Sequence, residues 1–127
     1  MPDPVIRFSI QFAQHSQVGW REIDLLEAIQ TAGTLSQAAR NLRISYRHAW
    51  LLVDSLNRAF QLPVTVARRG GSRGGGVCLT GLGESVVVGY RALERELAHL
   101  AARRLQGIVS MAKGRGSTAI AVPVEAG

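Results

Sequence analysis

At 127 residues and 46% apolar side chains, the chain can bury one modest core with appendages, and it is too apolar for wholesale disorder. Its net charge of +6 is concentrated in one place: residues 40–73 hold seven arginines (Arg40, Arg43, Arg47, Arg58, Arg68, Arg69 and Arg73) against one acid, Asp54, while the rest of the chain is balanced. A single basic segment of this kind is the electrostatic footprint of a phosphate-binding surface and argues against an acidic or uniformly solvated protein.

The first element is a strand over residues 6–12, where Ile6, Phe8, Ile10 and Phe12 alternate with polar residues. Residues 14–19 read as a loop. Trp20, Ile23, Leu26 and Ile29 then recur every three residues as one face of a helix, which Gly33 stops. Thr34 with Gln37 three residues later fits a capping box that opens a second helix. Its buried stripe is Leu35, Ala38, Ala39 and Leu42, and the two alanines permit a close, steep crossing with the next helix. Residues 41–44 form the turn, and Ser45 is a good N-cap for a third helix over residues 46–60.

On that third helix Ala49, Leu52, Val53, Leu56 and Phe60 share one face, while Arg47, Leu51, Asp54 and Arg58 lie opposite, with His48 and Ser55 on the flank. Pro63 breaks the chain. Val64 and Val66, then Val77 and Leu79, are strand-forming residues on either side of a glycine-rich basic tip, so they pair as a hairpin. Thr80 caps a long last helix over residues 81–106. Along it Val86, Tyr90, Leu93, Leu97 and Leu100 form a seam of about two heptads, which Arg104 ends. Residues 108–127 show no clear period and read as a linker or loose tail. The expected division is therefore a domain over residues 1–106 and a flexible tail over 107–127.

Two short helices across a tight turn followed by a basic hairpin make a winged helix-turn-helix. The fold class is mainly α with a small β-hairpin (α+β). In this arrangement the third helix enters the major groove of double-stranded DNA with its N-terminal residues at the base edges. Arg47 and His48 are expected to read bases, since an arginine fork reaches O6 and N7 of guanine together. Ser45 and Tyr46 are better placed for phosphate. Ser36, Gln37 and Arg58 complete the helical contacts. Leu51 is open to two readings, a thymine-methyl contact or a tolerated surface leucine. Tyr46 and Trp50 are expected to pack at the edge of the core rather than to stack on bases. Arg68, Arg69, Ser72 and Arg73 on the wing would hold backbone or minor groove. The seam of Val86, Tyr90, Leu93, Leu97 and Leu100 serves core packing and a homodimer interface. A helix of about 26 residues is roughly 39 Å long at 1.5 Å per residue, more than this small domain covers alone.

Other chemistries find little support. The glycine-rich tip is not followed by Gly-Lys-Ser/Thr and is flanked by strands, so it is no phosphate loop. The three histidines are scattered without ligand spacing, and no metal or other cofactor is expected. A single cysteine, Cys78, excludes an internal disulfide and reads as a buried inert thiol. No base pairs with an evident nucleophile, so an enzyme is not expected. The N-terminus lacks a signal-peptide pattern, and no apolar run approaches the roughly 18 residues of a membrane span. A cytoplasmic protein without a membrane partner is expected.

Gly-Thr-Leu-Ser-Gln-Ala-Ala from Gly33, Ile-Ser-Tyr-Arg-His-Ala-Trp from Ile44, and Gly-Gly-Ser-Arg-Gly-Gly-Gly-Val-Cys-Leu-Thr-Gly-Leu-Gly from Gly70 together resemble the N-terminal domain of the ModE family of bacterial molybdate-responsive transcription regulators. The resemblance covers about residues 5–106. Its Ser-Gln-Ala-Ala portion alone is shared with LysR-type regulators. It implies a dimeric winged helix-turn-helix, with the long helix and the N-terminal strand in the dimer, and control of molybdate uptake or molybdoenzyme genes. Molybdate-binding modules follow the DNA-binding domain in that family. The roughly 20 residues after Gln106 are too few for one, so either a separate molybdate-binding protein senses the oxyanion or the response is lost. His48 and Leu51 stand where smaller or polar residues are expected in the family, which implies a different operator. The competing readings are a LysR-like or non-specific DNA-binding module that recruits a partner through the long helix, and an oxyanion sensor built on the wing arginines.

Overall fold

The computed structural model describes residues 4–14, 16–68, 75–113 and 119–120. They fall into two compact units. One is Ser9–Val88; the other combines the residues up to Phe8 with those from Gly89 onward.

The first unit opens with β2 (Ser9–Ala13) and β3 (Ser16–Gly19), an antiparallel pair, after a short β1 (Val5–Ile6) that belongs to the other unit. The apolar alternation expected as one strand over 6–12 is thus divided. The reason is a change of partner: β1 pairs in parallel with β6 (Ala119–Ile120), whereas β2 folds back on β3. The stretch expected as a loop at 14–19 is mostly β3, a strand with one apolar side chain, Val18, which is fully buried.

Helix α1 (Trp20–Ala32) starts where the Glu22 carboxylate accepts from the Gly19 N–H at 2.9 Å, and it stops at Gly33, whose φ of 78° is left-handed. Glycine takes that conformation without the Cβ penalty. Helix α2 (Leu35–Leu42) is capped by Thr34, whose hydroxyl accepts from Gln37 N–H at 3.1 Å. Only that half of the expected capping box forms. The Gln37 amide turns instead to Asn41 Oδ1, one turn further on, at 2.9 Å. Arg43 closes α2 with a left-handed φ of 58°, and Ile44 N–H returns to the Ala39 carbonyl. Helix α3 (Tyr46–Ala59) then begins at Ser45, whose hydroxyl accepts from His48 N–H at 3.0 Å.

Leu25, Ile29, Ala38, Ala39 and Ala49 form the core where the three helices cross, sealed by Leu35, Leu42, Ile44, Leu52 and Val53 and by Val77 and Leu79 of the hairpin. Alanine at 38, 39 and 49 lets the backbones approach with almost no side chain between them. Strands β4 (Thr65–Arg68) and β5 (Gly76–Leu79) pair antiparallel, Thr65 opposite Leu79 and Arg68 opposite Gly76. Cys78, expected to be buried, is only half-buried on β5.

Helix α4 (Gly81–Arg104) is the long helix expected from the sequence, ending two residues early, and α5 (Gln106–Val109) adds one turn beyond it. Thr80 caps α4 by accepting from Gly83 N–H at 3.0 Å while its own hydroxyl donates to the Pro63 carbonyl at 2.8 Å. In the second unit Tyr90 is buried, its ring stacked 4.3 Å from that of Phe8 and its hydroxyl donating to the Phe8 carbonyl. Within α4, Val86, Leu93 and Leu97 are half-buried and Leu100 is exposed.

Candidate nucleic-acid interface

The hairpin is held to the helices by the Asn57 side chain, two backbone hydrogen bonds and one close backbone approach. Asn57, in the last turns of α3, accepts at Oδ1 from the buried N–H groups of Val64 (2.8 Å) and Thr65 (3.2 Å), and its Nδ2 donates to Thr65 Oγ1 at 3.1 Å. Thr80 N–H donates to the Val64 carbonyl at 2.9 Å, and Val77 N–H donates to the Gly33 carbonyl, also at 2.9 Å. The start of α4 rides so close to Val64 that a Cβ on Gly83 would sit 2.1 Å from the Val64 oxygen. The base of the wing is therefore fixed to the end of α1 and to α3, and the pose of α3 relative to the wing is set before any partner arrives.

On this frame Arg47, Leu51 and Arg58 of α3 are exposed on one face, with Ser45 and Tyr46 exposed at its N-terminus. Arg58 is tied to Asp54 one turn earlier at 3.1 Å, with most of its side chain in solvent. A pair so exposed contributes little to stability and leaves the guanidinium ready to exchange partners. Ser36 and Gln37 are exposed in the first turn of α2. His48 is turned differently from Arg47. It is half-buried in a concavity of about 320 Å³ lined also by Trp20, Arg21, Asp24, Leu42, Ile44 and Leu52. There the Arg21 guanidinium lies 5.1 Å over the Trp20 ring.

Arg68 is exposed on β4, and its guanidinium lies across the base of the wing: Nη2 is 3.0 Å from where a Cβ on Gly33 would stand. A cation there faces the carbonyl end of α1, a favourable position for it. The remaining expected wing contacts, Arg69, Ser72 and Arg73, lie outside the described residues.

Sequence reasoning missed Asn57 and misjudged two aromatics. Tyr46 and Trp50, expected at the edge of the core, are 55% and 50% exposed. At 100° per residue they fall on the flank of α3 between its core face and the Arg47 face. An asparagine inside a helix was the available signal for Asn57, since that residue is disfavoured there unless its side chain bonds elsewhere. Among the described residues no group of three or more His, Cys, Asp or Glu side chains is placed to hold a metal ion. No helix among them is long and apolar enough to cross a membrane.

A helix-turn-helix with a fixed hairpin beside it is found in known DNA-binding domains. The fold matches the CbnR DNA-binding domain, solved in complex with DNA, with a TM-score of 0.52 over 70% of this chain and 95% of that one, at 21% identity. The chain is a winged helix-turn-helix protein. No family model matches the sequence. Among individual proteins, the molybdenum-pterin-binding protein MopA of Rhodobacter capsulatus is 39% identical over 93 residues, 73% of this chain and 35% of its own length. The molybdenum transport protein ModE of Azotobacter vinelandii is 43% identical over 74 residues, 58% of this chain and 27% of its own. The transcriptional regulator ModE of Haemophilus influenzae is 32% identical over 99 residues, 78% of this chain and 39% of its own.

Over its N-terminal part, the chain is homologous to ModE and Mop proteins. It spans about a third of the length of these ModE and Mop relatives.

Proposed function

We propose that the chain is a sequence-specific transcriptional regulator that binds double-stranded DNA as a homodimer in the cytoplasm and controls genes of molybdate transport or molybdoenzymes. The exposed face of α3, carrying Arg47, Leu51 and Arg58 beside a hairpin fixed at its base, is the observation that carries this reading. The names of the ModE and Mop relatives support its molybdenum context.

In this reading Arg47 reads a guanine edge in the major groove, with His48 and Leu51 contributing to base choice. Ser36, Gln37, Ser45, Tyr46, Arg58, Arg68, Arg69, Ser72 and Arg73 hold sugar–phosphate, so they set register and affinity without carrying sequence. Val86, Tyr90, Leu93, Leu97 and Leu100 of α4 supply the seam of the dimer, with Tyr90 acting through its packing on Phe8. A two-fold pair of recognition helices addresses half-sites about one DNA turn apart. A separate molybdate-binding protein is the partner that would link the oxyanion to this regulator. No enzymatic role is proposed.

Selection of bound sequences from a random DNA pool, with and without molybdate at near-physiological salt, tests the proposal. A two-fold symmetric motif is expected. Recovery of no motif, with binding that falls steeply as salt rises, would reduce the protein to a non-specific DNA-binding module.

A further inference from the structure

Helix α3 carries three chemically distinct faces. Ala49 and Leu56 point into the core, and Arg47, Leu51 and Arg58 point outward. Between them, on the flank toward the hairpin, stand Tyr46 and Trp50, one turn apart and about half exposed. Both line a groove of about 440 Å³ that runs between α3, the start of α2 and the hairpin. Thr34 and Ser36 line it at the start of α2, and Gly75 and Gly76 line it from the hairpin.

The groove's chemistry narrows its occupant. Two large rings exposed side by side mark a surface that is covered in use. Hydroxyl donors stand beside those rings, and Tyr46 and Trp50 belong to the segment 40–73 that carries the chain's positive excess, although the groove lining itself is uncharged. A purely apolar ligand would leave the hydroxyls idle, and a free anion would leave the rings idle. A sugar–phosphate strand alternates an apolar deoxyribose face with an anionic group and uses both. Gly75 and Gly76 present no side chain that would keep such a strand from the hairpin wall.

We propose that this groove seats the sugar–phosphate backbone of one DNA strand, with the Trp50 and Tyr46 rings packed on deoxyribose and the Thr34 and Ser36 hydroxyls on phosphate. The assignment rests on the DNA-binding reading and adds Trp50 to it as a sequence-independent contact that sets the depth of α3 in the major groove. Because every nucleotide offers the same sugar, its loss weakens all sequences alike, unlike loss of Arg47.

The chain has two tryptophans, so Trp20→Phe leaves Trp50 as the sole indole reporter. A labelled duplex drawn from the selected pool is titrated into this variant, following duplex anisotropy and Trp50 emission together. Saturating duplex is expected to shift or quench the Trp50 emission. Trp50→Ala is expected to weaken selected and scrambled duplexes equally, by about tenfold, and Trp50→Phe by much less. Anisotropy showing full binding with Trp50 emission unchanged would overturn the groove assignment and leave the DNA-binding reading standing. No anisotropy change with any duplex would overturn both. A Trp50 signal that follows protein concentration without DNA would assign the groove to a second copy of the chain instead.

Discussion

Asn57 does with one side chain what a longer connection would otherwise have to do. Its carboxamide satisfies two backbone N–H groups at the start of the wing, both on buried residues. Removing it leaves both donors without this partner, so Asn57→Ala is expected to cost about 1–3 kcal/mol in urea unfolding. Asn57→Asp keeps the accepting oxygen and should cost less; equal losses would show that packing, not hydrogen bonding, is the cause. Gly83 works by having no side chain. With a Cβ 2.1 Å from the Val64 carbonyl, either α4 or the 63–65 segment must move. Gly83→Ala is expected to destabilise by about 1–3 kcal/mol, as overpacking does. A variant as stable as the parent would mean that the close approach is not maintained in solution.

Elements formed by local chemistry were the ones legible in the sequence. Gly33, Thr34, Ser45 and Thr80 each act within three or four residues, and each occupies the helix end its residue type indicates. The Ala38–Ala39 pair announced a close crossing for the same reason. Features that depend on distant partners were not legible. Alternation at residues 6–12 could not show that Ile6 and Ile10 pair with different strands. Nor could the sequence around Asn57 show that the start of β4 would need its carboxamide. Tyr46 and Trp50 were misjudged because the flank they occupy is fixed by where the hairpin docks. If the wing arginines hold phosphates, Arg69→Ala weakens binding to all sequences and lowers the slope of log affinity against log salt by about one. An unchanged slope would exclude a phosphate contact at that residue.

For the whole molecule, binding DNA with two-fold symmetry requires two copies. The α4 positions Leu93 and Leu97 are half-buried and Leu100 is exposed, which leaves apolar surface along that helix. Leu97→Lys is expected to shift the protein from dimer to monomer in analytical ultracentrifugation, and to abolish preference for symmetric over half-site duplexes. A dimer undisturbed by that change would place the interface elsewhere. The charge distribution acts here as well: an excess confined to residues 40–73 favours approach of a polyanion to that segment.

In the proposed function α3 reads base sequence through Arg47. The most direct measurement compares the parent and Arg47→Ala on a selected duplex and on a scrambled one at the same salt. A loss of about 1–3 kcal/mol is expected on the selected duplex, with little change on the scrambled one and relaxed preference at one base pair of each half-site. An equal loss on both duplexes would contradict it and make Arg47 one more phosphate contact.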